Sequence, residues 1–332
     1  MILCSYPDYI YMRNIFITGA FGLVGSDLVE ALWKRVGKEH VFCLANKTKP
    51  DTFDGQLVEG DVRSIDTLEK IIVYKKITEV YHLAGLLSVG GEKNPPLAWD
   101  VNVNGLRNVL DLAVKYHLKV FWPSSIAAFG ATTPKINTPQ ETVLEPTTIY
   151  GVSKVTGELL CQYYFLRWGV DVRSLRYPGL TGYKAPPGDG TTEYSVHIFY
   201  GLLKDNTYSC FLKKDARLPM MYIDDAILGT IQLMDAPKEK ISVRTSYNFA
   251  AINFTPEELV SEIQKLEPTF VCTYNPDPVK QKIAESWPQS IDDSVARRDW
   301  GWKPEFDLPK MTETMLEGLR KKLGAQHMSS RT

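Results

Sequence analysis

A short apolar run, Asn14-Ile15-Phe16-Ile17-Thr18, passes straight into Gly19-Ala20-Phe21-Gly22-Leu23-Val24-Gly25, and an amphipathic stretch continues to about Lys38. The run is too brief for a helix and is bounded by glycine, so it reads as a buried strand. The stretch after the glycines reads as a helix. Strand, glycine turn and helix N-terminus in that order form an anion site. Bare backbone lets a pyrophosphate approach, and free amide groups and the helix dipole favour its charge. A glycine pattern alone is weak; in this setting it points to dinucleotide binding.

The same alternation continues. His40–Ala45 is the next strand, ending about twenty residues after the glycines, where a carboxylate is expected to hold the adenosine ribose. This chain has Asn46 and then Lys47 there, and asparagine bonds a ribose without repelling a 2′-phosphate. Asp61 precedes a helix beginning near Ser64 and fits either turn and capping chemistry or an adenine contact. Val80–Gly85 is a strand in which His82 reads as packed. A long helix is predicted over about Pro95–His117, carrying Asn102. Val120–Ser125 is a strand ending in two hydroxyls, a helix with Tyr150 and Lys154 runs to about Trp168, and Val170–Tyr177 is a further strand. The fold class expected is α/β: a Rossmann doubly wound parallel sheet with its ligand across the carboxyl ends of the strands.

Beyond residue 180 the chain becomes richer in Pro and Gly. Thr181–Thr192 (TGYKAPPGDGTT) reads as a loop followed by a helix from about Glu193. Gly182, Gly188 and Gly190 make that loop a candidate lid hinged at Thr191-Thr192. The expected organisation is an N-terminal extension over 1–12 and a cofactor-binding half over 13–180. A smaller α/β substrate-capping region, interleaved with the first, covers 181–324, and a flexible tail covers 325–332.

Of 332 residues 44% are hydrophobic and 23% charged, with net charge −1. No long basic run appears, which argues against nucleic acid or an acidic membrane as partner. Cys4, Cys43, Cys161, Cys210 and Cys272 show no metal or redox spacing, which suggests a reducing compartment. No apolar run approaches the length of a membrane span. The first dozen residues lack the look of a transit peptide, so the compartment is not legible there.

Tyr150 and Lys154 lie about one turn apart on one helix face. Bringing a phenol down by about three pKa units takes roughly 4 kcal/mol of preference for the phenolate. An ammonium one turn away in a partly desolvated site supplies part of it. By spacing alone a solvated helix face is the commoner reading of such a pair.

The glycine motif, Asn102, Ser125 and Tyr150-x-x-x-Lys154 together resemble the extended short-chain dehydrogenase/reductases, over about residues 12–322. Finer motifs are Leu86-Leu87-Ser88, Glu92-Lys93-Asn94-Pro95, Phe121–Ser125, Arg176-Tyr177-Pro178-Gly179, Gly190-Thr191-Thr192, Pro219–Tyr222 and Glu285-Ser286-Trp287-Pro288. These are similar to the branch that oxidises L-threonine, not to the zinc-dependent type. The resemblance implies NAD as cofactor, held by Gly19, Phe21, Gly22, Leu23, Val24, Gly25, Asn46, Asp61, Val62, Leu83, Ala84, Gly85, Tyr150, Lys154, Tyr177, Pro178 and Leu180. It implies Tyr150 as base, Lys154 as its electrostatic support, Ser125 on the substrate oxygen and Asn102 positioning a water. Substrate contacts are implied for Ser88, Ser125, Tyr150, Thr191, Thr192 and Trp287, with no metal. Arg217 and Lys135 are candidates for the substrate carboxylate. The implied product is 2-amino-3-oxobutyrate, split to glycine and acetyl-CoA by a partner ligase.

The resemblance also implies a homodimer pairing the helices around 95–117 and 150–168, with Tyr163, Tyr164, Phe165 and Trp168 in the interface. It suggests the mitochondrial matrix, or the cytoplasm if the source is bacterial. Five positions depart from the family pattern. Asn46 replaces an acidic residue, Gly90-Gly91 suggest an unusually mobile loop, and Glu193 and Glu285 stand where shorter aspartates are expected. Two rival readings share the motifs: a nucleotide-sugar epimerase or dehydratase, and a dinucleotide-sensing regulatory protein.

Overall fold

The computed structural model describes residues 13–46 and 53–329, the last five by backbone alone. The expected extension over 1–12, Lys47 and residues 330–332 lie outside the described residues. The first half runs β1 (Ile15–Thr18), α1 (Leu23–Val36), β2 (Val41–Ala45), β3 (Gln56–Glu59), α2 (Ile65–Tyr74) and β4 (Glu79–His82). It continues with α3 (Ser88–Lys93), α4 (Pro95–Trp99), α5 (Gly105–Tyr116), β5 (Lys119–Ser125), α6 (Ile149–Trp168) and β6 (Val172–Tyr177). β1, β2, β4 and β6 are buried along their whole length, as strands covered on both faces must be.

Local chemistry sets the helix ends. Ser64 caps α2 by accepting from Thr67 N, so Asp61 is not the cap. Asn94 caps α4 with Pro95 at the first helical position. Thr148 accepts from Gly151 N to start α6, and Gly169, at φ 70°, ends it.

Two expectations are corrected here. The helix predicted over 95–117 is not continuous: a π-helical segment, Asp100–Asn104, separates α4 from α5 and contains Asn102. The segment with Gly90-Gly91 is helix α3, not a mobile loop. Gly91 is buried because a Cβ there would come within 3.1 Å of the Ile149 side chain and 3.5 Å of Ala98.

The second half contains β7 (Gly179–Thr181), α7 (Tyr194–Asp205), β8 (Thr207–Cys210), β9 (Leu218–Tyr222), α8 (Ile223–Asp235), β10 (Tyr247–Asn248) and β11 (Ile252–Phe254). Then come α9 (Pro256–Leu266), β12 (Val271–Tyr274), α10 (Pro278–Ser286), α11 (Ser294–Trp300) and α12 (Leu308–Ser329). α12 thus runs through residues expected to form a flexible tail.

The strands of the main sheet are all parallel, in the order β10-β6-β5-β4-β1-β2-β3. This is the doubly wound α/β fold. Strand order reverses beside β1, and the carboxyl ends of β1, β2, β4, β5 and β6 face one crevice. The outermost strand beside β6 is β10, from the second half, with Asn248 opposite Arg176. The rest of that half forms a three-stranded sheet, β11-β9-β7, and a two-stranded one, β12-β8. α8 packs against α1, so the two halves share a core.

Candidate active site

The glycine turn leaves a helix N-terminus bare. Gly22 is the N-cap of α1 and brings no side-chain hydrogen bond, and the first turn of α1 holds no acidic residue. Gly19 has φ +69°, and a Cβ there would lie 2.6 Å from Ala84 N, so this turn and the loop after β4 touch backbone to backbone. Thr18 fastens the same junction: its Oγ1 accepts from Ala84 N (3.2 Å) and its carbonyl from Leu83 N (3.0 Å). A Cβ on Gly25 would stand 2.2 Å from Gly19 O, whereas one on Gly22 would meet only Gly19 O, at 3.5 Å. Room at Gly22 and uncapped amides beside it fit a pyrophosphate.

At the end of β2, Asn46 Nδ2 donates to Asp61 Oδ2 (3.3 Å). Asp61 also accepts from Arg63 N (2.9 Å) and from its guanidinium (2.7 Å), which holds its carboxyl below the usual range. A carboxylate is therefore present beside Asn46, supplied by the turn after β3. Val62 is buried, and its carbonyl accepts from Asn108. Phe21 meets Phe53 edge-on at 5.1 Å. The Tyr177 hydroxyl is committed to Thr230 on α8, and Pro178 and Leu180 are buried.

Three consecutive residues of β5 meet α6. Pro123 O accepts from Lys154 Nζ (2.5 Å), Ser124 Oγ donates to Glu158 (2.6 Å), and Ser125 Oγ accepts from Ala127 N (3.2 Å) close enough to Tyr150 to bear on its phenol. Lys154 Nζ lies 5.3 Å from the centre of the Tyr150 ring and 4.7 Å from that of Trp122. Asn102 accepts from Leu86 N (2.7 Å) and donates to Leu86 O (3.0 Å) and Ser153 Oγ (3.2 Å). Ser153 in turn donates to Tyr150 O (2.7 Å). Both amide hydrogens of Asn102 are thereby used in joining the loop before Ser88 to the helix of Tyr150. The π-helical segment turns Asn102 toward these partners, and such segments often mark working sites. Ser153 is a residue that motif reading missed; a polar side chain on the buried face of a helix was its signal.

The other expected contacts fall into two groups. Ser88 opens α3, and Glu92 of that helix accepts from Ile149 N (2.8 Å), which holds α3 against the start of α6. Trp287 packs on the cluster of Ile126, Phe129, Ala250 and Ile291 that follows Ser125. Thr191 and Thr192 lie in the turn before α7, with Thr192 over Gly179. No hydrogen bond among the described residues joins them to Ser125 or Tyr150. Arg217 pairs with Glu258 and donates to Asn253 O (2.9 Å). Lys135 donates to Ser286 O (2.6 Å), one residue from Trp287.

The candidate lid is tied at both ends. Lys184 pairs with Asp27 (2.7 Å) and Glu30 (2.6 Å) on α1, and Asp189 with Lys280 (2.7 Å) on α10. Glu193 accepts from Gly188 N (3.2 Å). Gly182, Gly188 and Gly190 do not use the left-handed region, and Gly182 packs against Ile223.

Burial pushes the Tyr150 phenol up to about 12, with Ser125 pulling it partly back. Burial pushes Lys154 down to about 7 against the opposing charge of Glu158. The expected lowering of the phenol is thus not a property of the chain by itself: desolvation dominates at both groups, opposed by Ser125 at the phenol and by Glu158 at the lysine. His82 is fully buried, its Nδ1 beside Thr18 Oγ1 (2.8 Å), and burial pushes it down to about 3.

A lysine with a folded pKa below its unfolded value lowers stability at low pH, and stability recovers with rising pH over the range in which the unfolded chain binds more protons. That penalty is absent above about pH 10.5, grows as pH falls toward 7 and is complete below it. Lys154→Met is expected to raise the unfolding midpoint of the cofactor-free protein, more near about pH 6 than near about pH 10. Thermal unfolding at both pH values checks this; an equal gain at each would remove burial as the cause.

Fold and site together define an extended short-chain dehydrogenase/reductase, and the chain belongs to the NAD dependent epimerase/dehydratase family, whose model matches residues 15–250. Within it the chain is similar to L-threonine 3-dehydrogenases. It is 47% identical over 306 residues to the mitochondrial L-threonine 3-dehydrogenase of Bos taurus, covering 92% of this chain and 82% of that one. The GalE-like L-threonine dehydrogenase of Cupriavidus necator, in its holo form, superposes with TM-score 0.90 at 48% identity, covering 92% of this chain and 100% of that one. Its apo form superposes less closely, with TM-score 0.80. A monomeric L-threonine 3-dehydrogenase of metagenomic origin gives TM-score 0.89 at 46% identity, covering 93% of this chain and 99% of that one.

Proposed function

We propose that the protein oxidises the 3-hydroxyl of L-threonine, giving 2-amino-3-oxobutyrate. The observation that carries this reading is the convergence of Ser125, Tyr150 and Lys154 at the carboxyl end of β5, in a chain similar to L-threonine 3-dehydrogenases along nearly its whole length. NAD, when bound, supplies the hydride acceptor and the positive charge of its nicotinamide ring. Gly19 to Gly25 hold its pyrophosphate, Asn46 and Asp61 its adenosine end, and Leu83 to Gly85 with Pro178 line the crevice between. Lys154 holds the ribose hydroxyls near the reacting end.

The chain's part in the reaction is proton removal and geometry. Tyr150 as phenolate takes the proton of the threonine hydroxyl. Ser125 donates a hydrogen bond to the same oxygen and keeps it near the phenol. Lys154 stabilises the negative phenolate. Asn102 holds Leu86 and Ser153, which fixes Ser88 and Tyr150 relative to one another. Ser88, Thr191, Thr192 and Trp287 contact the amino acid. A 2-amino-3-oxobutyrate ligase consumes the product, yielding glycine and acetyl-CoA.

Reduced-cofactor formation with L-threonine, L-allo-threonine, L-serine and a UDP-sugar, each with NAD and with NADP, tests the reading. Turnover of L-threonine with a higher kcat/KM for NAD is expected, because Asp61 stands beside Asn46 and disfavours a 2′-phosphate. No reduced cofactor from L-threonine, together with interconversion of UDP-sugar epimers without net cofactor reduction, would move the protein to the epimerases. A coenzyme ratio near one would remove the role given to Asp61.

The protein acts as a homodimer in this reading, through α6. Of the four aromatics expected there, Tyr164 is buried with its hydroxyl on Asp111, and Phe165 lies half-buried under the Arg244 guanidinium at 4.2 Å. The exposed stripe consists instead of Val152, Leu159, Tyr163 and Leu166, on one face of α6, with Leu166 73% exposed. A second copy covering this stripe accounts for its apolar character. Light scattering is expected to give twice the chain mass at micromolar concentration; a single mass would match the monomeric relative instead. Among the described residues no helix is long and apolar enough to cross a membrane. The mitochondrial matrix is the proposed location in a eukaryotic source, and the cytoplasm in a bacterial one.

A further inference from the structure

Tyr150, Lys154 and Glu158 follow one another at single-turn intervals along α6, and the reaction above leaves Glu158 without a task. Its side chain is 1% exposed. One carboxylate oxygen accepts from Ser124 Oγ (2.6 Å) and Arg176 Nε (2.9 Å), the other from Arg176 Nη2 (2.7 Å). Arg176 Nη1 donates to Gln140 O (3.1 Å) and Asn248 Oδ1 (2.9 Å), and the guanidinium lies 5.3 Å from the Phe129 ring centre. A buried ion pair of this kind is often no more stabilising than well-packed apolar residues of the same volume. Stability alone therefore gives no reason to keep one behind a catalytic lysine.

The surroundings of Lys154 give one. On its own helix it faces Tyr150, Glu158 and Cys161, and from β4 it faces His82. Burial keeps the Cys161 thiol and the Tyr150 phenol protonated and His82 neutral. Glu158 itself faces Arg176 from β6 and Lys154 and Cys161 on α6. Among these groups Glu158 is the negative charge that bears on Lys154. We propose that Glu158, fixed by Arg176 and Ser124, is a positioning residue that keeps Lys154 protonated in its buried position. Arg176 and Ser124 prevent the carboxylate from turning to meet Lys154 directly, so the ammonium stays on Pro123 O and toward Tyr150. This rests on the reading of Tyr150 as the base and Lys154 as its support.

Two readouts test it. In full-length protein with ¹⁵N-labelled lysine, the Nζ signal that Lys154→Met removes is followed against pH by NMR. Glu158→Gln is expected to lower its midpoint by about one unit or more, a tenfold change in proton affinity. Should that variant not fold, Glu158→Leu/Arg176→Met replaces the pair by apolar side chains and is expected to move the midpoint in the same direction. An unchanged midpoint in either folded variant overturns the proposal.

The pH profile of kcat/KM for L-threonine is the second readout. Loss of the Glu158 charge lets Lys154 lose its proton at lower pH, so the phenol ionises later and the midpoint of the rate moves upward. A merely structural role would lower the rate by the same factor at every pH. If the lysine midpoint shifts and the rate profile does not, Glu158 controls Lys154 as proposed, and the role of Lys154 in turnover is what fails.

Discussion

Replacing Tyr150 by phenylalanine is expected to lower L-threonine turnover by about 10²–10⁴, the usual worth of a positioned acid or base. The ring stays and only the hydroxyl leaves. That hydroxyl meets Ser125 and takes no part in the packing of α6, whose cap, Thr148, and whose link to Asn102 through Ser153 are untouched. Stability and NAD affinity should therefore change little. Lys154→Met should lower turnover as well, and should weaken NAD binding, because Lys154 is given two roles. In the wild type the rate should rise with pH as the phenol ionises. A midpoint well below 10 is expected in turnover, although in the cofactor-free chain burial, partly offset by Ser125, holds the phenol at about 12. A folded Tyr150→Phe variant that oxidises threonine at close to the wild-type rate would end this mechanism.

Gly22→Ala and Gly25→Ala are expected to separate binding from folding. At Gly25 an added methyl would sit 2.2 Å from Gly19 O and 2.7 Å from the Ala20 carbonyl carbon, all of it backbone, so the turn must open. The cost is of the overpacking kind, about 1–3 kcal/mol or more, and NAD affinity should fall by about 10² or more as the turn loses its shape. At Gly22 the methyl meets only ordinary contact at 3.5 Å, and φ −82° suits alanine. Its stability should stay within about 1 kcal/mol of wild type, yet NAD affinity should fall by about tenfold or more, because the methyl occupies the approach of the pyrophosphate. Calorimetric titration with NAD beside thermal unfolding reads both quantities. Equal NAD affinity in Gly22→Ala and wild type would place the pyrophosphate elsewhere.

β1 and β2 were legible because they are buried throughout and read as nearly continuous apolar runs, whereas β4 and β6, equally buried, carry polar residues such as His82, Arg173 and Arg176 and were read from their place in the alternation. β3 carries exposed residues at both ends and β10 has only two residues, so neither leaves such a run. The π-helical segment was not legible either: one extra residue in a turn shifts the apolar stripe without breaking its alternation. Tyr150, Lys154 and Ser125 stood out by motif. The bond from Lys154 to Pro123 O, the Asn102–Ser153 link and the Glu158–Arg176 pair depend on how a helix lies over a strand, which spacing along the chain does not encode. Charge alone misled at Arg217, which spends its guanidinium on Glu258 and Asn253 O.

The outer neighbour of β6 comes from residues 247–248, about 70 residues further along the chain. A chain emerging from a ribosome at about 5–20 residues per second leaves the β6 edge open for roughly 4–14 seconds after Tyr177 has been made. An unpaired parallel edge is a template for wrong partners during that interval. The first 180 residues, though they hold the whole glycine turn and the Tyr150–Lys154 pair, are thus not a unit that can be cut out and expressed alone. Truncation after β6 should give a chaperone-dependent, aggregating product, and a fragment ending beyond Asn248 should fare markedly better.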